Sequence, residues 1–178
     1  MTTDMPPLLQ SFVRQDIRSW SRDVLEVPNP HLGGMKACPY AEAAWRNNKV
    51  DVVVGTDILG LKEAIKHFDP KDKDILIWVN FNLNKYERWD RWVGLWNEKN
   101  KKSDTHLMLF HPDFPPSEET EEFLTDNEWE SSIEEDYMMI FVQSLSFLNK
   151  ASVALENSGY YNYFSDDLYQ SLLEARRS

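Results

Sequence analysis

Ile75-Leu-Ile-Trp-Val79 is an almost wholly apolar stretch of strand-forming residues. A second run, Val50-Asp-Val-Val-Val54, precedes it and ends at Gly55, and a third, Thr105-His-Leu-Met-Leu-Phe110, follows it. Near-continuous apolar strands are typical of a sheet that is covered on both faces. The three runs therefore predict an α/β fold.

Amphipathic segments separate these runs and predict the helices that cover the sheet. Apolar residues recur at helical spacing over residues 58–68, and Trp89, Trp92 and Trp96 form an aromatic stripe before the third run. Alternating strands and helices favour right-handed crossovers and a small parallel or mixed sheet of three to four strands. We expect the tryptophan stripe to cover the sheet rather than to stack on nucleic-acid bases.

Both ends of the chain add helical patterns. Residues 6–25 read as an amphipathic helix whose Arg14, Arg18 and Arg22 are spaced to form a solvated row. Residues 137–156 also show helical spacing, but Met138-Met-Ile-Phe-Val142 fits a fourth strand equally well. Residues 166–177 predict a last helix.

The net charge of −11 is confined to one segment. Residues 1–116 hold equal numbers of acidic and basic side chains, whereas residues 117–136 hold ten Asp or Glu and no Lys or Arg. We divide a single domain, 1–178, into an α/β body (1–116), an acidic segment (117–136) and a mainly helical carboxyl-terminal region (137–178). This distribution argues against binding to duplex nucleic acid and favours a basic protein partner.

The cysteine count and the length of the apolar runs indicate the cellular compartment. A single cysteine, Cys38, excludes an intramolecular disulfide framework. The longest apolar run, Met138 to Val142, is far too short for a membrane span, and residues 1–7 lack the features of a signal peptide. We expect a cytoplasmic protein that does not engage membranes.

Familiar catalytic motifs are missing from the sequence. It contains no phosphate-binding loop, no dinucleotide-binding fingerprint, no His-Glu-x-x-His zinc motif and no nucleophile elbow. The sequence therefore identifies no cofactor and assigns no metal.

Polar residues follow each predicted strand. If the three strands are parallel, Asp57, Asn80, Asn82, His111 and Asp113 share one edge of the sheet, where open α/β proteins place ligands. His111 and Asp113 could serve as general acid and base or as two metal ligands, which are too few to define a metal site. The alternative is structural, with Asp57 capping a helix, Asn82 in a turn and Asp113 in a proline-rich turn.

Cys38 has two interpretations. It precedes Pro39 at a predicted helix start, where the helix dipole could lower the pKa of the thiol. Alternatively, Cys38 is a small buried apolar residue, as free cysteines commonly are. We assign no chemistry to His31, His67 or His106.

The order of Cys38-Pro-Tyr-Ala41, the strands and Phe110-His-Pro-Asp-Phe114 resembles domain-of-unknown-function family 1415. Members of this bacterial family carry a Cys-Pro-Phe-Ala segment and, after a strand, a Phe-His-Pro segment. The resemblance covers roughly residues 17–155 and fails after Phe114, where the acidic segment replaces an Asn-Arg-Ser-Pro-Tyr-Pro-type stretch. It implies one compact α/β domain and suggests Cys38 and His111 as a pair to test, but it implies no reaction.

These observations lead to three functional hypotheses. The first is a binding protein that uses the acidic segment and an aromatic carboxyl-terminal surface. That surface would draw on Phe123, Trp129, Tyr137, Phe141, Phe147, Tyr160, Tyr161, Tyr163, Phe164 and Tyr169. The second is a small enzyme with Cys38, His111 and Asp113 at its site. The third is a homo-oligomer whose tryptophan-rich helix packs at a subunit interface.

Overall fold

The computed structural model describes residues 6–83, 85–113 and 137–177. The acidic segment 117–136 lies outside the described residues. The strands are β1 (Val50–Val54), β2 (Ile75–Asn80), β3 (Thr105–Phe110) and β4 (Met138–Ser144). The helices are α1 (Pro7–Trp20), α2 (Ala41–Arg46), α3 (Ile58–His67), α4 (Tyr86–Lys99), α5 (Leu145–Asn157) and α6 (Asp166–Arg177).

The four strands form one mixed sheet in the order β1-β2-β4-β3. β1 and β2 are parallel, and β4 is antiparallel to both of its neighbours, so β3 has the same direction as β1 and β2. The α/β prediction with a small mixed sheet is confirmed. We call the end where β1, β2 and β3 finish the carboxyl end of the sheet, and the opposite end the amino end.

Residues 138–142 belong to the strand β4, which settles the alternative that the sequence left open. β4 lies between β2 and β3, and Ile140 pairs with Trp78 on one side and with Leu109 on the other. Its apolar run suits this central position, because both faces of a central strand are buried. The following helix starts at Leu145, after Ser144 accepts a hydrogen bond from the amide of Phe147.

Helices cover the two faces of the sheet. α1 and α2 pack on the first face, where Val13, Ile17 and Trp20 meet the side chains of β1. α3 and α4 pack on the second face, where Trp89 joins the fully buried Trp78. The prediction that the tryptophan stripe covers the sheet is confirmed, and its side chains pack within the chain rather than forming an exposed aromatic face.

The outer edges of β1 and β3 are capped by side chains from the helices. Gln10 and Arg14 of α1 donate to the carbonyl oxygens of Val52 and Val50 at 3.3 and 3.0 Å. At the other edge, the amide of Asn97 both donates to and accepts from the backbone of Leu107, each time at 2.9 Å. Such capping protects edge strands from pairing with other chains.

The prediction of a solvated arginine row is wrong for two of its three members. Arg14 caps β1, and Arg18 forms a salt bridge with the buried Glu26. Both guanidinium groups also lie over the ring of Trp45. Helical spacing showed that the three arginines share a side of α1, but it could not show that α2 and β1 lie against that side.

The carboxyl-terminal region packs around the amino end of the sheet. The Tyr160 hydroxyl donates to the carbonyl oxygen of Ala37 at 2.6 Å, and its ring contacts Tyr161 and Phe164. Tyr160 and Tyr137 are buried, whereas Phe147 and Tyr163 are exposed. Tyr161 and Phe164 also pack on each other, and Tyr161 packs on Tyr169, so these described rings contact one another rather than forming a continuous exposed face. Phe123 and Trp129 lie outside the described residues.

Candidate functional site

The carboxyl end of the sheet gathers the polar residues that the sequence placed there. Asp57 follows β1, Asn80 ends β2 and His111 follows β3. The Asn80 side chain donates to the carbonyl oxygen of Thr56 at 3.3 Å, which ties the ends of β1 and β2 together. β4 lies between β2 and β3, so His111 is one strand removed from Asn80. A continuous row of three neighbouring parallel strands does not form.

Asn80 is a buried structural residue. Its side-chain oxygen accepts a hydrogen bond from the backbone amide of Asn82 at 2.8 Å, while its nitrogen holds Thr56. Because the oxygen and the nitrogen of this buried side chain are both hydrogen-bonded, Asn80 holds the turns after β1 and β2 in place. Asn82 contributes its backbone to this arrangement, and its own side chain is exposed.

Asp57 acts as the helix cap that the structural alternative described. It is in an extended conformation immediately before α3, and its carboxylate accepts from the backbone amide of Gly60 at 2.8 Å. A carboxylate at this position satisfies a free amide and interacts favourably with the helix dipole.

His111 and Asp113 do come together, in a turn. The His111 side chain is completely buried, and its Nδ1 accepts from the backbone amide of Asp113 at 3.1 Å. This hydrogen bond ties the buried ring to the backbone of the turn. The Asp113 carboxylate lies 4.0 Å from Nδ1 and is mostly exposed, and the ring packs edge-on against Tyr86. The imidazole thus anchors the turn that follows β3.

Cys38 lines a small apolar cavity at the amino end. The cavity has a volume of about 80 Å³, and its walls include Trp20, Phe141 and Phe147. Burial raises the pKa of the free thiol, and hydrogen bonds from the amides of Tyr40 and Ala41 only partly oppose that effect. The environment therefore favours the protonated thiol, which is a poor nucleophile.

Cys38 and His111 do not form a pair. The walls of the Cys38 cavity include Val50 and Ile75, the first residues of β1 and β2. His111 follows the last residue of β3 at the opposite end. A six-residue strand spans about 17 Å, whereas a nucleophile and its base must approach within about 3 Å. The structure separates Cys38 from His111 and Asp113, because the segment before α2 packs against the strand starts.

A second cavity was not anticipated from the sequence. It has a volume of about 390 Å³, lies at the amino end, and is lined by Lys101, His106 and Arg176 among others. The sequence assigned His106 no chemistry, and nothing in local spacing links these three residues. They converge only because α4, β3 and α6 meet at this corner of the fold.

The described residues contain no group of three or more His, Cys, Asp or Glu side chains placed to hold a metal ion. Across the ranges 6–83, 85–113 and 137–177, no helix combines the length and the apolar character that a membrane span requires. Comparison with family models, curated proteins and solved structures finds no match to this chain.

Proposed function

We propose that this protein binds a basic protein partner through the acidic segment, residues 117–136. The observation that carries this proposal is the segregation of charge: ten acidic side chains and no basic one within twenty residues of an otherwise balanced chain. Clustered charge of one sign attracts a partner of opposite sign and accelerates its association.

The described residues nearest to the acidic segment in sequence are Asp113 and Tyr137. Asp113 and Tyr137 both lie at the carboxyl end, where Phe110 of β3 pairs with Met139 of β4. Tyr137 is buried and firmly held: its hydroxyl donates to Asp16 at 3.0 Å and its ring packs against Phe81. The described residues that flank the acidic segment in sequence thus both lie at the carboxyl end.

The described surface at the carboxyl end suits the same partner. Phe81 and Leu83 are exposed after β2, and the carboxylate of Asp113 is exposed at the same end of the sheet. Exposed apolar side chains beside a carboxylate would complement a partner that presents lysine or arginine together with an apolar anchor.

Binding accounts for this end of the molecule better than catalysis does. Asn80, Asp57 and His111 each support a turn or a helix start, and Cys38 lies at the other end. The resemblance to family 1415 remains a hypothesis and adds no reaction. A cytoplasmic location belongs to the same proposal, because the only cysteine is a free thiol, as in proteins of reducing compartments.

The test replaces the ten acidic residues of 117–136 by their amides in the full chain. Partners of the wild-type protein are captured by crosslinking from cell extract and quantified at low and high salt. We expect captured proteins to be basic, to bind less at high salt, and to fall at least about ten-fold with the amide variant. The control is the triple variant Glu63→Gln, Glu87→Gln and Glu156→Gln, which should capture the same proteins. Undiminished capture by the amide variant would overturn the proposal.

A further inference from the structure

The cavity of about 390 Å³ at the amino end, which we call the amino-end cleft, is built from parts distant in sequence. Its walls are Gly94, Asn97, Glu98, Lys101, Thr105, His106, Leu145 and Arg176. Its volume is within the range of pockets that bind small molecules, about 300–1,000 Å³. Its lining is rich in polar groups, in contrast to the apolar cavity around Cys38.

Two cations contribute to the amino-end cleft without a carboxylate partner of their own. Among the residues that the structure describes, neither Arg176 nor Lys101 forms a salt bridge. Arg176 is nevertheless fixed in place, because its guanidinium donates to the hydroxyl of the buried Ser152. That hydroxyl also receives a hydrogen bond from Tyr161 at 3.4 Å. A positioned guanidinium with no described carboxylate within 4 Å is suited to an anion.

His106 adds a neutral polar group to the wall. The residue is buried, and its burial, followed by the positive charge of Arg176, lowers the pKa of the imidazole. The ring is therefore neutral near pH 7 and can offer either a donor or an acceptor. An anion placed beside Arg176 would offset that positive charge and make protonation of His106 easier.

The neighbouring start of α5 is already occupied by an anion of the protein itself. The Asp104 carboxylate accepts hydrogen bonds from the amide and hydroxyl of Ser146 at 2.7 and 2.8 Å, and from the Ser144 hydroxyl at 2.7 Å. The amides at this helix start are thus satisfied. The capacity of the amino-end cleft for an anion rests on Arg176 and Lys101.

We propose that the amino-end cleft binds a small organic anion, whose phosphate or carboxylate group lies against Arg176 and Lys101 and whose hydroxyl or amino group meets Glu98. Glu98 supplies the only carboxylate among the described residues that line the cleft, and it favours a ligand that carries a hydrogen-bond donor beside its anionic group. The cleft lies at the end of the sheet opposite to Asp113 and Tyr137, and this inference uses no residue of the acidic segment.

The experiment is a titration of the ¹⁵N-labelled full chain with inorganic phosphate, succinate and serine phosphate. We expect saturable amide shifts at Asn97, Thr105 and His106, a rise in the pKa of His106, and tighter binding of serine phosphate than of inorganic phosphate. Preference for phosphate or for succinate identifies the anionic group. Arg176→Gln and Lys101→Gln should each weaken binding by about ten-fold.

Two matched controls separate the cleft from general charge effects. Arg22→Gln and Lys102→Gln remove exposed cations that do not line the cleft, and each should leave the affinity unchanged. Lys101→Gln keeps the test decisive if Arg176→Gln destabilises α6. The inference is overturned if none of the three anions shifts these amides, or if the cleft variants and the controls weaken binding equally.

Discussion

The carboxyl and amino ends of the sheet use their polar side chains in opposite ways. At the carboxyl end, Asn80, Asp57 and His111 bond to nearby backbone groups and hold turns in place. At the amino end, Arg176 and Lys101 face a cleft without a carboxylate partner among the described residues. A polar side chain at the end of a parallel strand is therefore not by itself a ligand-binding group. It is available to a ligand only if it is not already hydrogen-bonded within the protein.

The largest effect that tests this difference is expected at Asn80. Asn80→Ala would remove the hydrogen bonds to the carbonyl of Thr56 and to the amide of Asn82, and would leave a void in place of a buried side chain. We expect the free energy of unfolding to fall by about 3 kcal/mol, measured by chemical denaturation. Asn82→Ala, which removes an exposed side chain, should change it by less than about 0.5 kcal/mol. Equal losses in the two variants would contradict a structural role for the Asn80 side chain.

The reactivity of Cys38 at the amino end tests whether His111 at the carboxyl end influences its thiol. Since burial raises the pKa of this thiol, we expect iodoacetamide to modify it about ten-fold more slowly than free cysteine at pH 7.5. Unfolding in guanidinium chloride should restore the ordinary rate. His111→Ala should leave the slow rate of modification unchanged, because the two residues lie at opposite ends of the sheet. A changed rate would contradict this separation.

A smaller effect is expected at Asp57, the cap of α3. Asp57→Ala removes the acceptor for the Gly60 amide and should lower the free energy of unfolding by about 1 kcal/mol. Asp57→Asn retains a capping oxygen and should lower the free energy of unfolding by only about 0.3 kcal/mol. If thermal and chemical denaturation show no loss for Asp57→Ala, the carboxylate is free for another role at the carboxyl end.

The smallest effect concerns pH and the amino end. The pKa of His106 is lowered in the folded state, so the unfolded chain binds this proton more readily. Stability should therefore fall as the pH drops below the ordinary histidine value of 6.5, by no more than about 1 kcal/mol between pH 7.5 and 5.5. Comparison of wild type with His106→Gln isolates this contribution from His31, His67 and His111. A variant with the same pH dependence as wild type would show that His106 is not desolvated.

The sequence was informative about the strands and the main helices because their patterns are local. The runs Val50–Val54 and Thr105–Phe110 coincide with β1 and β3, and the tryptophan stripe lies in α4 against the sheet. The place of β4 could not be predicted, since pairing order depends on contacts between segments far apart in the chain. Its apolar run is equally compatible with a helix until β2 and β3 flank it.

The sites were harder to predict than the fold. Because parallel strands end at the same edge of a sheet, the sequence correctly placed Asn80 near the turn after β1. It could not show that the oxygen and the nitrogen of the Asn80 side chain are both hydrogen-bonded to backbone groups there. The amino-end cleft could not be predicted because Lys101, His106 and Arg176 share no local sequence pattern. Arg176 reaches the cleft only because α6 packs against α5, where Arg176 bonds to Ser152.

The most direct test of the account is to map two ligands of opposite charge on the same ¹⁵N-labelled protein. Serine phosphate is added in one titration, and a lysine- and arginine-rich peptide of about 20 residues, long enough to span the acidic segment, in the other. We expect the phosphate to shift the amides of Asn97, Thr105 and His106, and the peptide to shift those of Phe81, Asp113 and Tyr137. Phosphate shifts concentrated at Asp57, Asn80 and His111 would contradict the difference between the two ends, because those side chains would then be available to a ligand.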